Sequence, residues 1–236
     1  MKYIVNFFYD IIDNLYNTLI YQDRYLYILK GLGNTIIMAI FATFIGIILG
    51  VIIAVVINYN SRSSRLKFLS RLFKMYVGVI RGTPVLLQLM IIYYVIFKSV
   101  DVNILLVGIL AFGINSSAYV SEIVKSGFIS VDEGQFEASL ALGLGYFQMI
   151  RYVILPQAFR NIMPSLGNEF ITLLKETSVA GYIGIMELTK ASDIIASRTY
   201  EYFFPLIIVA CIYLIMTLGL SKLVRGLEVK LSNVKD

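Results

Sequence analysis

The sequence predicts an all-α integral membrane protein. Of its 236 residues, 58% are hydrophobic and only 15% are charged, and the mean hydropathy is +0.80. A soluble domain usually carries about 25% charged residues. Several apolar stretches reach the roughly 20 residues that a helix needs to cross a bilayer, and the length suits a single bundle of about five such helices.

Residues 1–30 predict an amphipathic segment rather than a span. Apolar side chains recur there at three- to four-residue spacing: Ile4, Phe7, Phe8, Ile11, Leu15 and Leu19. Three aspartates interrupt the stretch, which argues against a cleaved signal peptide. The segment is expected either to lie at the membrane interface or to pack on the bundle as an ordinary helix.

Residues 31–225 are predicted to form a transmembrane domain of five spans, followed by a tail at 226–236. Three spans are clean apolar stretches: 35–57, 102–124 and 202–220. Two more are interpreted as real but broken or polar spans. The stretch 76–97 is interrupted by Arg81-Gly82-Thr83-Pro84, and the stretch 164–185 contains three charged residues.

The distribution of cations predicts the orientation, because the side richer in lysine and arginine is normally cytoplasmic. The richer side holds Arg62, Arg65, Lys67, Arg71, Lys74, Arg151, Arg160, Lys222, Arg225, Lys230 and Lys235. With five spans, the N-terminus lies outside, and the loop 130–160 and the C-terminus lie in the cytoplasm. Cations placed at span ends also favour a role in lipid topology over nucleic-acid binding.

The residue content argues against catalysis. The chain has no histidine, and Cys211 is its single cysteine, so it has no disulfide framework, no typical zinc or iron–sulfur site and no Ser-His or Cys-His pair. It also has no Gly-x-x-x-x-Gly-Lys-Ser/Thr loop, which argues against ATP binding by that route. No cofactor is expected on this chain.

The loop 130–160 predicts two short helices joined by a turn. Asp132-Glu133 suits a helix start, and Gly143 ends the first helix because glycine reaches left-handed backbone angles. A second helix, Tyr146–Leu155, is predicted to stop at Pro156. This pattern alone fits either a plain amphipathic connector or a docking surface for a soluble partner.

Several motifs in order resemble a known family. Glu137-Ala138-Ser139-x-x-x-Gly143, followed by Val153-x-Leu155-Pro156, resembles the EAA loop of permease subunits of ATP-binding-cassette (ABC) importers. Other motifs resemble the branch for polar amino acids such as histidine, arginine, glutamine and glutamate: Arg81-Gly82-Thr83-Pro84, Ser117-Ala118-Tyr119-x-x-Glu122-Ile123, Gly134-Gln135-x-Glu137-Ala138 and Lys175-x-Thr177-Ser178. The resemblance covers most of the chain, and residues 1–30 match least.

The resemblance implies a type I permease fold of five transmembrane helices, in a bacterial cell membrane. In that family the loop forms a coupling helix in a cleft of a cytoplasmic ATPase subunit. The residues expected to make that contact are Phe136, Glu137, Ala138, Leu140, Gly143 and Leu144. Other implied partners are a dimer of ATPase subunits that uses ATP and Mg²⁺, a second permease chain that we expect to be identical, and an external solute-binding protein. Outer-loop charges are candidate contacts for that protein, or simply solvated: Lys98, Asp101, Glu187, Lys190, Asp193 and Arg198.

The break at Arg81-Gly82-Thr83-Pro84 is the first candidate substrate site. Pro84 disfavours a helical Thr83, so a helix should restart near Pro84 with a positive end. Thr83, nearby amides and Arg81 are then expected to hold the carboxylate of an amino acid. The alternative is a structural kink, with Arg81 reaching the cytoplasmic surface.

Polar residues inside other spans extend this candidate site. Gln88 lies one turn beyond Pro84, and Asn115-Ser116-Ser117 lies halfway along the span 102–124. These residues face either a wet cavity or a neighbouring helix. Glu122, near the end of that span, is expected to have a structural or interfacial role.

Glu169 is the most specific candidate for a substrate-binding residue. An unpaired carboxylate at membrane depth has a high free-energy cost and therefore indicates function. The alternatives are an ion pair with Lys175 or a position near the interface. If Glu169 faces the cavity, a basic substrate (arginine, lysine or histidine) is favoured. Two rival functions are a membrane scaffold that docks an ATPase without a pathway, and a membrane enzyme that acts on lipids.

Overall fold

The computed structural model describes residues 2–62 and 66–232, and this part of the chain is helical with no β-strand. The α-helices are α1 (Lys2–Leu19), α2 (Tyr25–Arg62), α3 (Lys67–Gly82), α4 (Val85–Ile91), α5 (Ile104–Ile129), α6 (Glu133–Ala141), α7 (Tyr146–Met149), α8 (Leu155–Glu176), α9 (Leu188–Thr199) and α10 (Phe203–Ser232). Short 3₁₀ helices cover Tyr21–Asp23 and Thr177–Ile183, and π-helical turns cover Ile92–Ile96 and Ile150–Ile154. Of the residues named above, Arg65 and Lys235 lie outside the described residues, as do the side chains of Ile4, Phe7, Phe8, Ile11 and Arg62.

Three helices of the described part are long and apolar enough to cross a membrane: α2, α5 and α10. A fourth candidate is the pair formed by Lys67–Gly82 and Val85–Ile96, which bends by 110° at the predicted break. The predicted span 164–185 corresponds to the polar helix α8 and the 3₁₀ turn after it. The count of five spans therefore stays a prediction.

One boundary differs from the sequence-based prediction. The helix predicted to stop at Pro156 continues, because the π turn Ile150–Ile154 leads directly into α8. Pro156 stands in the first turn of α8, where the missing N–H and the fixed φ of proline are tolerated. The helix α10 extends into the predicted tail as far as Ser232, and the position of the tail in the cytoplasm stays a prediction.

Glycines allow α2 and α5 to pack closely along their length. A Cβ atom on Gly46 would lie 2.8 Å from the Ser116 hydroxyl oxygen, and one on Gly50 would lie 2.7 Å from the Val120 side chain. On α5, a Cβ on Gly113 would lie 2.8 Å from the Ile45 side chain. Small residues are the usual means by which membrane helices approach one another.

We therefore expect Gly50→Ala to destabilise the helical bundle by about 1–3 kcal/mol, because the added methyl group overpacks the contact with Val120. Gly219→Ala is the matched control, since a Cβ atom on that glycine of α10 would meet nothing within 4 Å. Alanine there should leave stability unchanged or raise it by about 0.5–1 kcal/mol. Thermal unfolding in detergent measures both, and equal effects of the two substitutions would contradict the close α2–α5 contact.

The N-terminal helix packs on the bundle at its C-terminal end, and several of its other described side chains are exposed. Thr18 is buried, and Leu19 packs against the cluster that contains Leu188 and Val209. Tyr9 and Tyr16 are exposed on the same helix. The C-terminal end of α1 thus contacts the bundle, and an interfacial position for the rest stays a prediction.

Candidate functional site

A polar cavity of about 470 Å³ lies between α3, α5 and α8. Its lining includes two of the predicted substrate residues, Arg81 and Glu169, which reach it from α3 and α8. Glu122 and Tyr119 reach it from α5. The cavity therefore joins one cation and two carboxylates from three helices that are distant in sequence.

Arg81 is held loosely on its side of the cavity. Its guanidinium nitrogen lies 3.9 Å from a Glu122 carboxylate oxygen, and its carbon atom lies 5.5 Å from the centre of the Tyr119 ring. The Arg81 and Glu122 side chains are 46% and 34% exposed. An ion pair this long and this accessible is weak, so the guanidinium remains available to an anion. Glu122 also contacts Lys125 at 3.3 Å, which agrees with its predicted structural role.

Within the described residues, Glu169 is anchored through one of its two carboxylate oxygens. Its Oε1 accepts a hydrogen bond of 2.9 Å from the hydroxyl of Ser116, which is fully buried on α5. Among the ion pairs of the described residues, none includes Glu169, so the alternative of a pair with Lys175 is not formed. The carboxylate thus lines the cavity without a cation of its own.

Three other predicted substrate residues, Thr83, Gln88 and Asn115, form a hydrogen-bonded network in which Gln88 and Asn115 are buried and Thr83 is exposed. The Gln88 amide nitrogen donates to the Thr83 hydroxyl oxygen at 2.7 Å, and the Asn115 amide nitrogen donates to the Gln88 carbonyl oxygen at 2.9 Å. The Thr83 hydroxyl itself donates to the Val79 carbonyl oxygen. This network fixes the bend between α3 and α4, and contact of its members with substrate stays a prediction.

Two features of the network were not predicted. The Tyr76 hydroxyl lies 2.7 Å from the Ser117 hydroxyl and 2.7 Å from the Ile114 carbonyl oxygen, which ties α3 to α5. The side-chain oxygen of Asn115 is buried and has no hydrogen-bond partner within the described part of the chain. Neither feature could be predicted from the sequence, because each depends on which residues of a distant helix lie nearby.

A second cavity of about 560 Å³ continues the first one towards the predicted cytoplasmic end. The two cavities share Ser130, Asn161 and Ser165. The second also has Asp132, which opens α6, and Arg160 in its lining. Polar side chains thus follow one side of α8 from Glu169 to the loop before α6.

The helix α6 contains most of the candidate coupling residues. Asp132 caps it, since its carboxylate accepts a hydrogen bond of 2.7 Å from the Gly134 amide. Glu137, Ala138 and Leu140 are exposed. Ser139 is buried, and its hydroxyl donates to the Gln135 carbonyl oxygen. The helix therefore presents a small polar and apolar surface outward.

Gly143 ends α6 as the sequence predicts. Its φ is +75°, the left-handed region that favours glycine. The Gly143 amide donates to the Leu140 carbonyl oxygen and the Leu144 amide donates to the Ser139 carbonyl oxygen, the paired bonds of a Schellman motif. This turn fixes the direction of α6 relative to α7.

The apolar residues of the predicted coupling surface differ in exposure, and their contact with an ATPase stays a prediction. Phe136 and Leu144 are partly buried against the chain's own core, next to Met149 and Ile154. Phe136 on α6 and Leu144 in the turn after it thus contribute to the packing at the base of the loop. Leu142 is 79% exposed and lies with Leu140 on the outward surface. The motif-based prediction did not include Leu142, which follows the last turn of α6.

Glu187 is not a solvated loop charge or an outer contact. Its side chain is fully buried, and its two oxygens accept hydrogen bonds from the amides of Thr189 and Lys190 at 2.5 and 2.6 Å. It thus caps α9, and the Tyr213 hydroxyl donates to it at 3.5 Å. Burial raises the pKa of the Glu187 carboxyl from its usual 4.5 to about 7, although the two amide hydrogen bonds oppose this shift.

The stability of the bundle should therefore fall as pH rises from about 4.5 to 7, by up to the order of 2–3 kcal/mol, because the folded state holds the Glu187 proton across that range and the unfolded state does not. Glu187→Gln should remove this slope. Glu201→Gln is the control, since Glu201 also caps a helix, through the Phe203 and Phe204 amides, but is only partly buried. Thermal midpoints measured from pH 4.5 to 8 test this, and an unchanged slope in Glu187→Gln would contradict it.

The sequence of this helical bundle matches a known protein family. Residues 43–233 match the family described as "Binding-protein-dependent transport system inner membrane component". The chain belongs to this family of ABC importer permeases. It is thus a type I permease subunit in an inner membrane and is not itself catalytic, and such permeases work with an ATPase and a binding protein.

Relatives of the permease are named for amino acids. A putative glutamine transport system permease protein of Rickettsia bellii is 38% identical over 89% of this chain and 95% of its own length. The arginine transport system permease protein ArtQ of Bacillus subtilis is 36% identical over 88% of this chain and 93% of its own.

Solved structures of transporter chains have a similar fold. A chain of an amino acid ABC transporter crystallised with histidines is 42% identical, with a TM-score of 0.80, and the match covers 86% of this chain and 94% of that one. A methionine transporter chain, at 18% identity and a TM-score of 0.69 over 87% of this chain and 98% of that one, shares the fold. The permease therefore belongs to an amino-acid ABC transporter.

Proposed function

We propose that this permease forms the pathway through which an ATP-driven importer carries polar amino acids, with a preference for the basic ones (arginine, lysine or histidine). The observation that carries the proposal is the cavity that places Arg81 and the unpaired Glu169 on opposite helices. Its volume of about 470 Å³ lies in the range of small-molecule sites, about 300–1,000 Å³.

The charges of the cavity suit a basic amino acid. Arg81 offers a bidentate donor to the α-carboxylate, and Glu169 has an oxygen free of its bond to Ser116 for a cationic group. Glu122 adds a second carboxylate to the lining, but Lys125 lies 3.3 Å from it, so Glu169 is the carboxylate for which the described residues provide no cation. A further cation, that of the substrate side chain, would balance it.

The cavity that continues along α8 supports release on the side of α6. With the distribution of cations described above, we assign α6 and the C-terminus to the cytoplasm and the N-terminus to the outside. The residues presented outward by α6 then contact a dimer of ATPase subunits, which binds ATP and Mg²⁺. Two identical permease chains would complete the pathway, since the cavity of one chain opens at its surface.

The test is amino-acid-stimulated ATP hydrolysis and uptake by the permease co-expressed with its ATPase, in liposomes supplied with the binding protein. We expect arginine or lysine to stimulate more than glutamine, and aspartate to stimulate least. If no polar amino acid stimulates hydrolysis, the transport proposal is wrong and the scaffold alternative gains. If glutamine stimulates most, the pathway stands and the preference for basic substrates is wrong.

A further inference from the structure

The helix α3 has three different faces. Val77 and Ser70 are buried, and Val77 packs with Ile53 and Ile57 from the last turns of α2. A second face is apolar but exposed: Phe68, Leu72, Met75 and Val79 are 77%, 39%, 62% and 56% exposed. A third face begins with three exposed cations spaced four and three residues apart.

These cations are Lys67, Arg71 and Lys74. No ion pair of the described residues includes any of them. The basic face therefore has no acidic partner in the described part of this chain. It lies directly beside the exposed apolar face on the same two turns.

The position of these turns in the bundle is defined by packing. Val77 lies beside Ile53 and Ile57, so residues 67–74 extend from that level to the end where α2 finishes. Ten residues of helix cover about 15 Å. The basic face thus lies at an end of the bundle, next to the short connection between α2 and α3.

We propose that the first two turns of α3 bind the headgroups of anionic phospholipids. The exposed apolar side chains enter the acyl-chain boundary, and the adjacent lysines and arginine reach back to the phosphates of the same leaflet. A zwitterionic headgroup offers no net charge to this face, whereas an anionic one does. A protein partner fits less well, since the exposed apolar stripe continues along α3 beyond the cations to Val79.

The chain has no tryptophan, so a single Phe68→Trp variant provides a unique fluorescent probe next to the basic face. The full-length permease, purified without its protein partners, is placed in nanodiscs that contain equal fractions of phosphatidylcholine and phosphatidylglycerol, with bromine on the acyl chains of one lipid or the other. We expect brominated phosphatidylglycerol to quench the probe about threefold more than brominated phosphatidylcholine. Phe44→Trp, at an exposed site in the apolar part of α2 with 62% exposure, should show no such preference.

Two charge variants separate a local from a general effect. Arg71→Gln with Lys74→Gln should bring the ratio at the probe to one. Lys30→Gln with Lys98→Gln removes the same charge from exposed positions elsewhere and should leave the ratio unchanged. A ratio of one in the unmodified background overturns the proposal, as does enrichment that survives Arg71→Gln with Lys74→Gln. Quenching by neither lipid also overturns it, because α3 would then be covered by protein rather than by lipid.

Discussion

Glu169→Gln should weaken arginine uptake by about 10- to 100-fold while glutamine uptake changes little. The substitution removes the charge that would pair with a basic side chain, and a hydrogen bond between charged groups contributes about 1.5–3 kcal/mol. The bond from Ser116 should survive, since the glutamine side chain retains a carbonyl oxygen to accept it. Concentration-dependent uptake of labelled arginine, lysine and glutamine into liposomes measures the effect.

Glu176→Gln is the matched control for Glu169. It makes the same chemical change on the last turn of α8, at a residue that is not in the described lining of the cavity. Uptake should keep its selectivity in this control. Unaltered arginine affinity in Glu169→Gln would remove the basis for a basic substrate, although it would leave ATP-driven transport intact.

Leu140→Asp should prevent stable assembly with the ATPase. Leu140 is 62% exposed on α6, so its replacement costs little within this chain. If it fills a pocket of the ATPase, burying a carboxylate there costs about 2 kcal/mol or more, roughly a 30-fold loss of affinity. Co-purification with the ATPase and hydrolysis by the complex measure this loss.

Leu227→Asp serves as the control for this surface. Leu227 is 49% exposed near the end of α10, so the new charge is similar but lies on a different helix from the candidate coupling residues. The thermal midpoint of the isolated permease should be the same in both variants. Normal recovery of the ATPase with Leu140→Asp would show that α6 is not the contact.

Elements governed by local chemistry were predictable from the sequence. The apolar lengths of α2, α5 and α10, the break at Pro84 and the glycine end of α6 at Gly143 follow from hydropathy and backbone preferences. The prediction at Pro156 was wrong because a π turn depends on the packing of the surrounding helix and leaves no residue signature.

Contacts between distant helices were harder to predict. Glu169 was identified from its cost in an apolar span, but its bond to Ser116 requires α5 and α8 to meet. Glu187 was mistaken for loop charge because nothing in sequence marks a carboxylate that caps a helix inside the fold. Phe136 was assigned to the partner although packing turns it towards its own core.

The interlocked glycines of α2 and α5 restrict how this permease can change shape. Backbones in such close contact leave no room for side chains to repack, so sliding one helix along the other would produce clashes at Gly46, Gly50 and Gly113. The two helices are therefore expected to move as one rigid body. Opening and closing of the pathway must then be confined to the elements around them, chiefly the bent α3–α4 pair and the polar helix α8.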